Sequence, residues 1–234
     1  AANLQLRFER SFWCESLGTY ALALDGAKAP CEVSTSNAGH ALWSGIASDA
    51  RAAKVAKRLL GRDLFSGWGI RTLAEGEARY NPMSYHNGSI WPHDNGIVAE
   101  GLKRYDFREE AARVASAVLE ASVLFDDNRV PELFCGFRRS SRHAPVPYPV
   151  ACRPQAWAAA TIFHLLETLL GLEVDGRAQR AVFVKPALPS SIEWIEITNL
   201  AVGAKRASLR LERTRSGGAV LARTAGDAKI VIKK

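Results

Sequence analysis

Apolar positions follow two rhythms along the chain. Up to about residue 176 they return at steps of three and four, the helical period; beyond it they alternate or gather in short β-branched runs. At the start Leu4, Phe8 and Phe12, with Leu6, Trp13 and Leu17 beside them, predict a helix that Gly18 ends. The run YALALDG then alternates as far as Asp25-Gly26, a turn signal, so a short hairpin arm is expected there.

From residue 40 onward the pattern repeats. HALWSGI, residues 40–46, is a short run of small and aromatic side chains. A helix over 48–60, capped by Ser48, puts Ala52, Val55, Ala56, Leu59 and Leu60 on one stripe, and the loop FSGWGIRTL over 65–73 closes the unit. In the second unit SIWPHDNGIVAEGL is the small-and-aromatic helix, with Ser89 as its expected N-cap and Pro92 in the first turn. Asp106 and Glu109 resemble a capping box for a long helix whose Phe107, Ala111, Val114, Val118, Ala121 and Phe125 share a face; its loop is RVPELFCGF, 129–137. The third unit opens at Cys152-Arg153-Pro154 and runs through QAWAAATIFHLLETLL to Gly171. The helix is apolar nearly all round, with Gln155, Thr161 and His164 among the exceptions, so it is expected to be enclosed on most sides.

Helix-loop-helix units with a crowded inner helix and an amphipathic outer one describe part of a helical toroid, because one unit cannot cover its own apolar face. The predicted fold is therefore mainly α: residues 1–176 as part of an (α/α)6 arrangement, followed by a small antiparallel β appendage over 177–234. The appendage is read from AVFVKPALP, IEWIEITNLAVG, ASLRLERT, AVLART and AKIVIKK, split by Pro-, Gly- and Ser-bearing turns.

Composition changes this picture little. With 234 residues, 47% of them hydrophobic, the chain can build a core, and no apolar run is long enough to cross a membrane. The first residues form an amphipathic pattern without a charged-then-apolar leader, and they begin in mid-pattern, so a piece of a longer protein is expected. Cys14, Cys31, Cys135 and Cys152 lack metal-type spacing and read as free thiols of a cytoplasmic protein. The net charge of +7 is confined to the tail: residues 201–234 hold nine Lys and Arg against Glu212 and Asp227. That tail contains no aromatic residue, and Leu209 and Leu211 alternate with Arg210 and Glu212, which suits a solvated sheet face rather than a nucleic-acid surface.

The candidate chemistry lies in two loops. YHNGSIWPHDNG, 85–96, crowds aromatic rings, imidazoles and a carboxylate at a helix start, a composition suited to hydroxyl-rich ligands. Glu132, between Pro131 and Leu133, is the carboxylate most suited to act as a base, and desolvation there is expected to raise its pKa. His40, His86, His93, His143 and His164 show no zinc-type pairing, and no nucleotide or phosphate motif is present, so no cofactor and no metal are implied.

The succession SGWGIRTL, YHNGSIWPHDNGIVAEGL, PELFCGF and YPVACRPQAWAAA, with the LP…W…L-x-VG pattern of the tail, resembles the glycogen-debranching, amylo-α-1,6-glucosidase type within the six-hairpin glycosidase superfamily. The resemblance covers nearly the whole chain. It implies an (α/α)6 barrel and inverting hydrolysis of α-glucosidic linkages, at branch points for the debranching type, with Glu132 as general base. Trp68, Tyr85, His86, Trp91, Asp94 and Gln155 would bind the sugar of an oligosaccharide or polysaccharide. The family's general acid, usually an Asp in a Trp-Lys-Asp type motif, would come from the remaining N-terminal part of the same enzyme, leaving this chain inactive alone. A non-catalytic carbohydrate-binding toroid is the alternative the same residues allow.

Overall fold

The computed structural model describes residues 1–233. The described chain holds six α-helices, eight short strands and one 3₁₀ turn, and it divides into two compact units, residues 1–165 and 166–234.

The first unit opens with α1 (Ala2–Phe12), which stops earlier than the apolar pattern suggested. Trp13 turns extended, and Trp13–Cys14 (β1) pairs with Thr19–Tyr20 (β2) across a turn at Gly18. Aromatic packing accounts for the early stop, since the Trp13 ring meets Tyr20 edge-on at 5.2 Å while Phe8 lies 4.7 Å from the same ring. Glu9 anchors the helix by accepting the Tyr20 hydroxyl and the Ser48 amide, each at 2.7 Å. The Asp25-Gly26 turn is present, with the Asp25 carboxylate accepting the amides of Ala27 and Ala29.

Next come α2 (Ala38–Ser44), α3 (Asp49–Leu59), α4 (Pro92–Arg104) and α5 (Arg108–Ser122). The packing partners are α2 with α4, α3 with α2, and α5 with α4. Small residues permit the tight α2–α4 approach: a Cβ at Gly101 would lie 2.6 Å from the backbone nitrogen of Trp43. Ala52, Val55, Ala56 and Leu59 are buried on α3 as their spacing required, and Ala111, Val114, Val118 and Ala121 on α5.

Two expected helix starts are displaced. Trp91, not Ser89, occupies the N-cap position of α4, because Ser89 Oγ is engaged upstream, donating to the carbonyl of Tyr85 at 2.7 Å. Asp106 does not cap α5 either. It takes a left-handed conformation (φ 61°) and pairs with Arg108 at 2.8 Å, leaving Phe107 at the N-cap.

Between the helices, loops meet as single β-bridges: Arg71 with Ile90, Ile90 with Phe134, and Phe134 with Pro147. The Asn95 amide locks this crossing to α4. It accepts the Ile70 N–H at 2.6 Å and donates to the carbonyls of Ile70 (3.1 Å) and Trp91 (3.0 Å). Arg71, fully buried, donates from Nε to the Gly136 carbonyl at 2.6 Å and from Nη1 to that of Asp63 at 3.0 Å.

The helix α6 (Ala156–Leu170) corrects the expectation of enclosure: Trp157 is 48% and Phe163 70% exposed. Apolar periodicity records which faces could be buried, and here the Ala158, Thr161 and Leu165 side is buried while the Trp157 and Phe163 side faces solvent.

The second unit contains β3 (Leu172–Asp175), β4 (Arg180–Val184), β5 (Trp194–Val202), β6 (Lys205–Arg213), β7 (Ala219–Gly226) and β8 (Lys229–Lys233). One sheet, β5-β6-β7, is an antiparallel meander, and Leu209 and Leu211 are buried while Glu212 is exposed, as the alternation implied. The other, β3-β4-β8, is mixed, since β4 and β8 run parallel. This corrects the reading of a wholly antiparallel appendage: alternation fixes which face is buried but not strand direction, and the intervening meander returns the chain in the sense of β4. Phe183, Leu188, Val202, Leu209 and Leu211 form the core of the unit.

All four cysteines are free, Cys14 and Cys135 buried and Cys152 exposed. The bridge crossing is packed so closely that a Cβ on Gly136 would overlap the Gly88 carbonyl oxygen. Gly136→Ala is therefore expected to lower stability in thermal or urea denaturation by ~1–3 kcal/mol, the cost of overpacking. Gly26→Ala, with open space around it, should leave the transition in place.

Candidate functional site

The bridges bring residues far apart in sequence to one place. Ile90 and Phe134 exchange backbone hydrogen bonds at 2.8 and 3.0 Å, which sets the loop carrying Tyr85 beside the loop carrying Glu132. The Tyr85 hydroxyl donates to Glu132 Oε1 at 2.6 Å, and the Cys152 amide donates to Oε2 at 3.2 Å. Gln155 adds a side-chain hydrogen bond, and the Glu132 amide in turn donates to the Cys152 carbonyl at 3.0 Å. Glu132 is only 7% exposed.

These donors decide its ionisation. The Tyr85 hydroxyl, above all, holds the Glu132 carboxyl below the ordinary carboxylate range; burial opposes this, and the Cys152 amide and Gln155 reinforce it. The expectation of a pKa raised by desolvation is thereby corrected, since hydrogen bonds to the charged form outweigh the loss of water. The same bond pushes the Tyr85 hydroxyl up to about 12.

Aromatic rings surround the pair. Tyr85 meets His86, Trp91 and Tyr148 edge-on, with centroids at 4.7, 4.9 and 5.6 Å. The Trp91 indole N–H donates to the Tyr85 carbonyl at 3.0 Å. His93 stacks on Trp157 at 4.0 Å, and Trp91 stands edge-on to both.

Beside this cluster lies a cavity of about 470 Å³ whose lining includes His40, His86, Trp91, His93, Asp94 and Trp157. Asp94, in the first turn of α4, accepts or shares a proton with His40 Nε2 at 2.7 Å. That hydrogen bond raises the His40 pKa, whereas burial lowers that of His93.

Of the residues predicted from sequence, His86, Trp91 and Asp94 line the cavity, while Tyr85, Glu132 and Gln155 form the hydrogen-bonded group next to it. Trp68 lies elsewhere. It is 5% exposed, belongs to a core cluster with Ile90, Phe125 and Phe134, and is covered by the Arg139 guanidinium at 4.2 Å. Sequence reasoning missed His40, Tyr148 and Trp157. His40 and Asp94 stand 54 positions apart, so no local motif could pair them. Trp157 was legible only as part of the Gln-Ala-Trp segment. Among the described residues no group of three or more His, Cys, Asp or Glu is arranged to hold a metal ion.

The His40–Asp94 pair is accessible to proton NMR. His40 should titrate above the ordinary imidazole value and His93 below it, and Asp94→Asn should bring His40 back down. Because the folded-state pKa of His40 is raised, the pair contributes stability that is fully present below the unfolded imidazole pKa and is lost as pH rises through the folded value.

Comparison with known proteins places these residues in context. A family model for the mannosylglycerate hydrolase MGH1-like glycoside hydrolase domain matches residues 1–138. Two curated relatives, mannosylglycerate hydrolases MGH1 and MGH2 of Selaginella moellendorffii, are each 39% identical over 74 residues, covering 31% of this chain and 15% of their own length. The chain thus spans only a small part of the curated relatives it matches. Among solved structures, neutral trehalase Nth1 from Saccharomyces cerevisiae aligns with a TM-score of 0.55 at 18% identity, over 70% of this chain and 29% of that one. The GH63 mannosylglycerate hydrolase from Thermus thermophilus, in complex with Tris and D-glycerate, aligns with a TM-score of 0.55 at 21% identity, over 68% of this chain and 36% of that one. At such identities the likeness is one of fold alone, and neither it nor the matched family model singles out the debranching type. Matched over more than half its length, this chain belongs to the mannosylglycerate hydrolase MGH1-like glycoside hydrolase domain family.

Proposed function

We propose that this chain is part of an inverting glycoside hydrolase acting on an α-linked hexoside, with Glu132 as its general base. The observation that carries the reading is the Glu132 carboxylate itself: nearly buried, beside an aromatic cluster, and kept ionised by Tyr85, the Cys152 amide and Gln155. An ionised carboxylate in that setting can take a proton from water as the water attacks the anomeric carbon.

Inversion needs a second carboxyl group, ~6.5–9.5 Å from the base, to protonate the leaving oxygen. We assign that group to the remaining N-terminal part of the enzyme. Residues 1–176 would then complete an (α/α)6 toroid with that part, and 177–234 would be its appendage. Tyr85, His86, Trp91 and Asp94 would line the sugar subsite, whereas the buried Trp68 would support it from the core. Family membership and the relatives named above favour a small glycoside of the mannosylglycerate or trehalose kind. The narrower reading, hydrolysis of α-1,6 branch points, rests on the Pro-Glu-Leu and Gln-Ala-Trp segments alone.

In the full-length enzyme, Glu132→Gln should lower turnover ~10²–10⁴-fold, the range for a lost general base, while sugar binding survives. Normal turnover in that variant would remove Glu132 from the mechanism. Tyr85→Phe removes the hydroxyl that favours the ionised form, so the acidic limb of the kcat/KM profile should move to higher pH. An unchanged limb would show that Tyr85 does not tune the base.

A further inference from the structure

The chain contains two Asn-Gly pairs, Asn87-Gly88 and Asn95-Gly96. Asparagine followed by glycine is prone to lose ammonia, because the glycine nitrogen has no side chain beside it to keep it from the asparagine Cγ. The fold treats the two pairs differently. Asn95 is fully buried on α4, and both atoms of its carboxamide are tied, to Ile70 and Trp91. Asn87 is half-buried in a loop, and its side chain borders the cavity of about 470 Å³. Packing forbids a bulkier neighbour there: Gly88 has φ 142°, and a Cβ on it would lie 2.7 Å from the Asn81 carbonyl oxygen.

At Asn87 the restraint falls on the other reactant. The Gly88 amide donates to Thr72 Oγ1 at 2.9 Å, and the Thr72 hydroxyl donates to the Ser89 carbonyl at 3.2 Å. Before it can react, the Gly88 nitrogen must shed its proton and turn toward Cγ. A hydrogen bond to the Thr72 oxygen opposes both.

We infer that Asn87 is a deamidation site whose rate in the folded protein is set by the Thr72 hydroxyl. The deprotonated Gly88 nitrogen attacks Asn87 Cγ, so that the N–Cγ bond forms, the Cγ–Nδ2 bond breaks and ammonia leaves, giving a five-membered imide. Water then opens the ring, at Cγ to an aspartyl residue or at the main-chain carbonyl to an isoaspartyl one. The net change is one water consumed and one ammonia released. Either product puts a new carboxylate on the wall that already holds Asp94. The isoaspartyl form also lengthens the main chain just ahead of Ile90, whose backbone bonds hold Phe134. This inference goes beyond the glycoside hydrolase reading and does not depend on it.

Peptide mass mapping of the full-length protein, incubated at mildly alkaline pH either folded or in urea, tests the assignment. In urea both asparagines should convert at similar rates. In the folded wild type both should slow, with product accumulating at Asn87 and not at Asn95. Removing the hydroxyl with Thr72→Val or Thr72→Ala, whichever keeps its thermal transition nearer the wild type, should speed conversion of Asn87 ~2–10-fold, the rate equivalent of one neutral hydrogen bond. Asn95 should not respond, and Thr72→Ser, which keeps the hydroxyl, should match the wild type. Folded wild-type protein that converts Asn87 as fast as the urea-unfolded chain would overturn the inference. So would an unchanged rate at Asn87 in the hydroxyl-free variant, or equal acceleration at both asparagines.

Discussion

The arrangement depends on what the Asn95 side chain does. A helix presents its backbone groups to itself, and a loop beside it ordinarily has no way to pair with it. Asn95 supplies one. Its amide acts as a short piece of β-strand for Ile70, accepting the N–H and donating to the carbonyl, while a second donor bond returns to Trp91 in the preceding turn. The residue is fully buried, so each unmet bond would cost ~1–3 kcal/mol, and an apolar replacement would strand both groups of Ile70. Through this contact the loop at 65–73 and the first turn of α4 become one object, and the bridges from Arg71 to Ile90 to Phe134 build on it.

Two carboxylates within reach of this crossing are held by different chemistry. Glu132 is surrounded by neutral donors, a phenol, a backbone amide and a carboxamide, which favour its charge without neutralising it. Asp94 is paired with an imidazole that can itself carry a proton, so the pair can share charge between its members. An ionised, unpaired carboxylate suits a base that must receive a proton during the reaction. A carboxylate tied to His40 suits a fixed contact. This contrast comes from the partners each acid has, since both residues are almost equally hidden from water.

Much of the helical unit was readable because burial on α3 and α5 obeys a simple period: the stripes of Ala52, Val55 and Ala56 and of Ala111, Val114 and Val118 are where spacing put them. The site was half readable. Tyr85, Trp91, Asp94 and Glu132 stood out as polar and aromatic residues crowded into short segments, but their partnerships did not. His40 is joined to Asp94 only by the packing of α2 on α4, and Cys152 reaches Glu132 by its backbone, which has no sequence signature. The same limit explains the misplaced caps. Ser89 and Asp106 are residue types that cap helices, yet each found a nearer partner, one in the Tyr85 carbonyl and the other in the Arg108 guanidinium. Trp68 shows the converse, an aromatic residue in a Gly-rich loop that turned inward to fill the core under the bridges.

The parallel pairing of β4 with β8 has a consequence for the making of the molecule. Arg180 finds its opposite only at Lys229, after the whole β5-β6-β7 meander has been laid down. On a ribosome, β4 therefore emerges with β3 on one side and an open edge on the other, and that edge stays open through three further strands. Hairpin neighbours can zip as they appear, whereas this junction must wait for distant chain and bears the entropy of closing a long loop. For that interval Ala181, Val182 and Phe183, all buried in the finished unit, sit on the strand most able to recruit a foreign partner. Translation speed through the meander thus becomes a physical variable of this protein, with a pause there lengthening the time during which the unfinished sheet can aggregate.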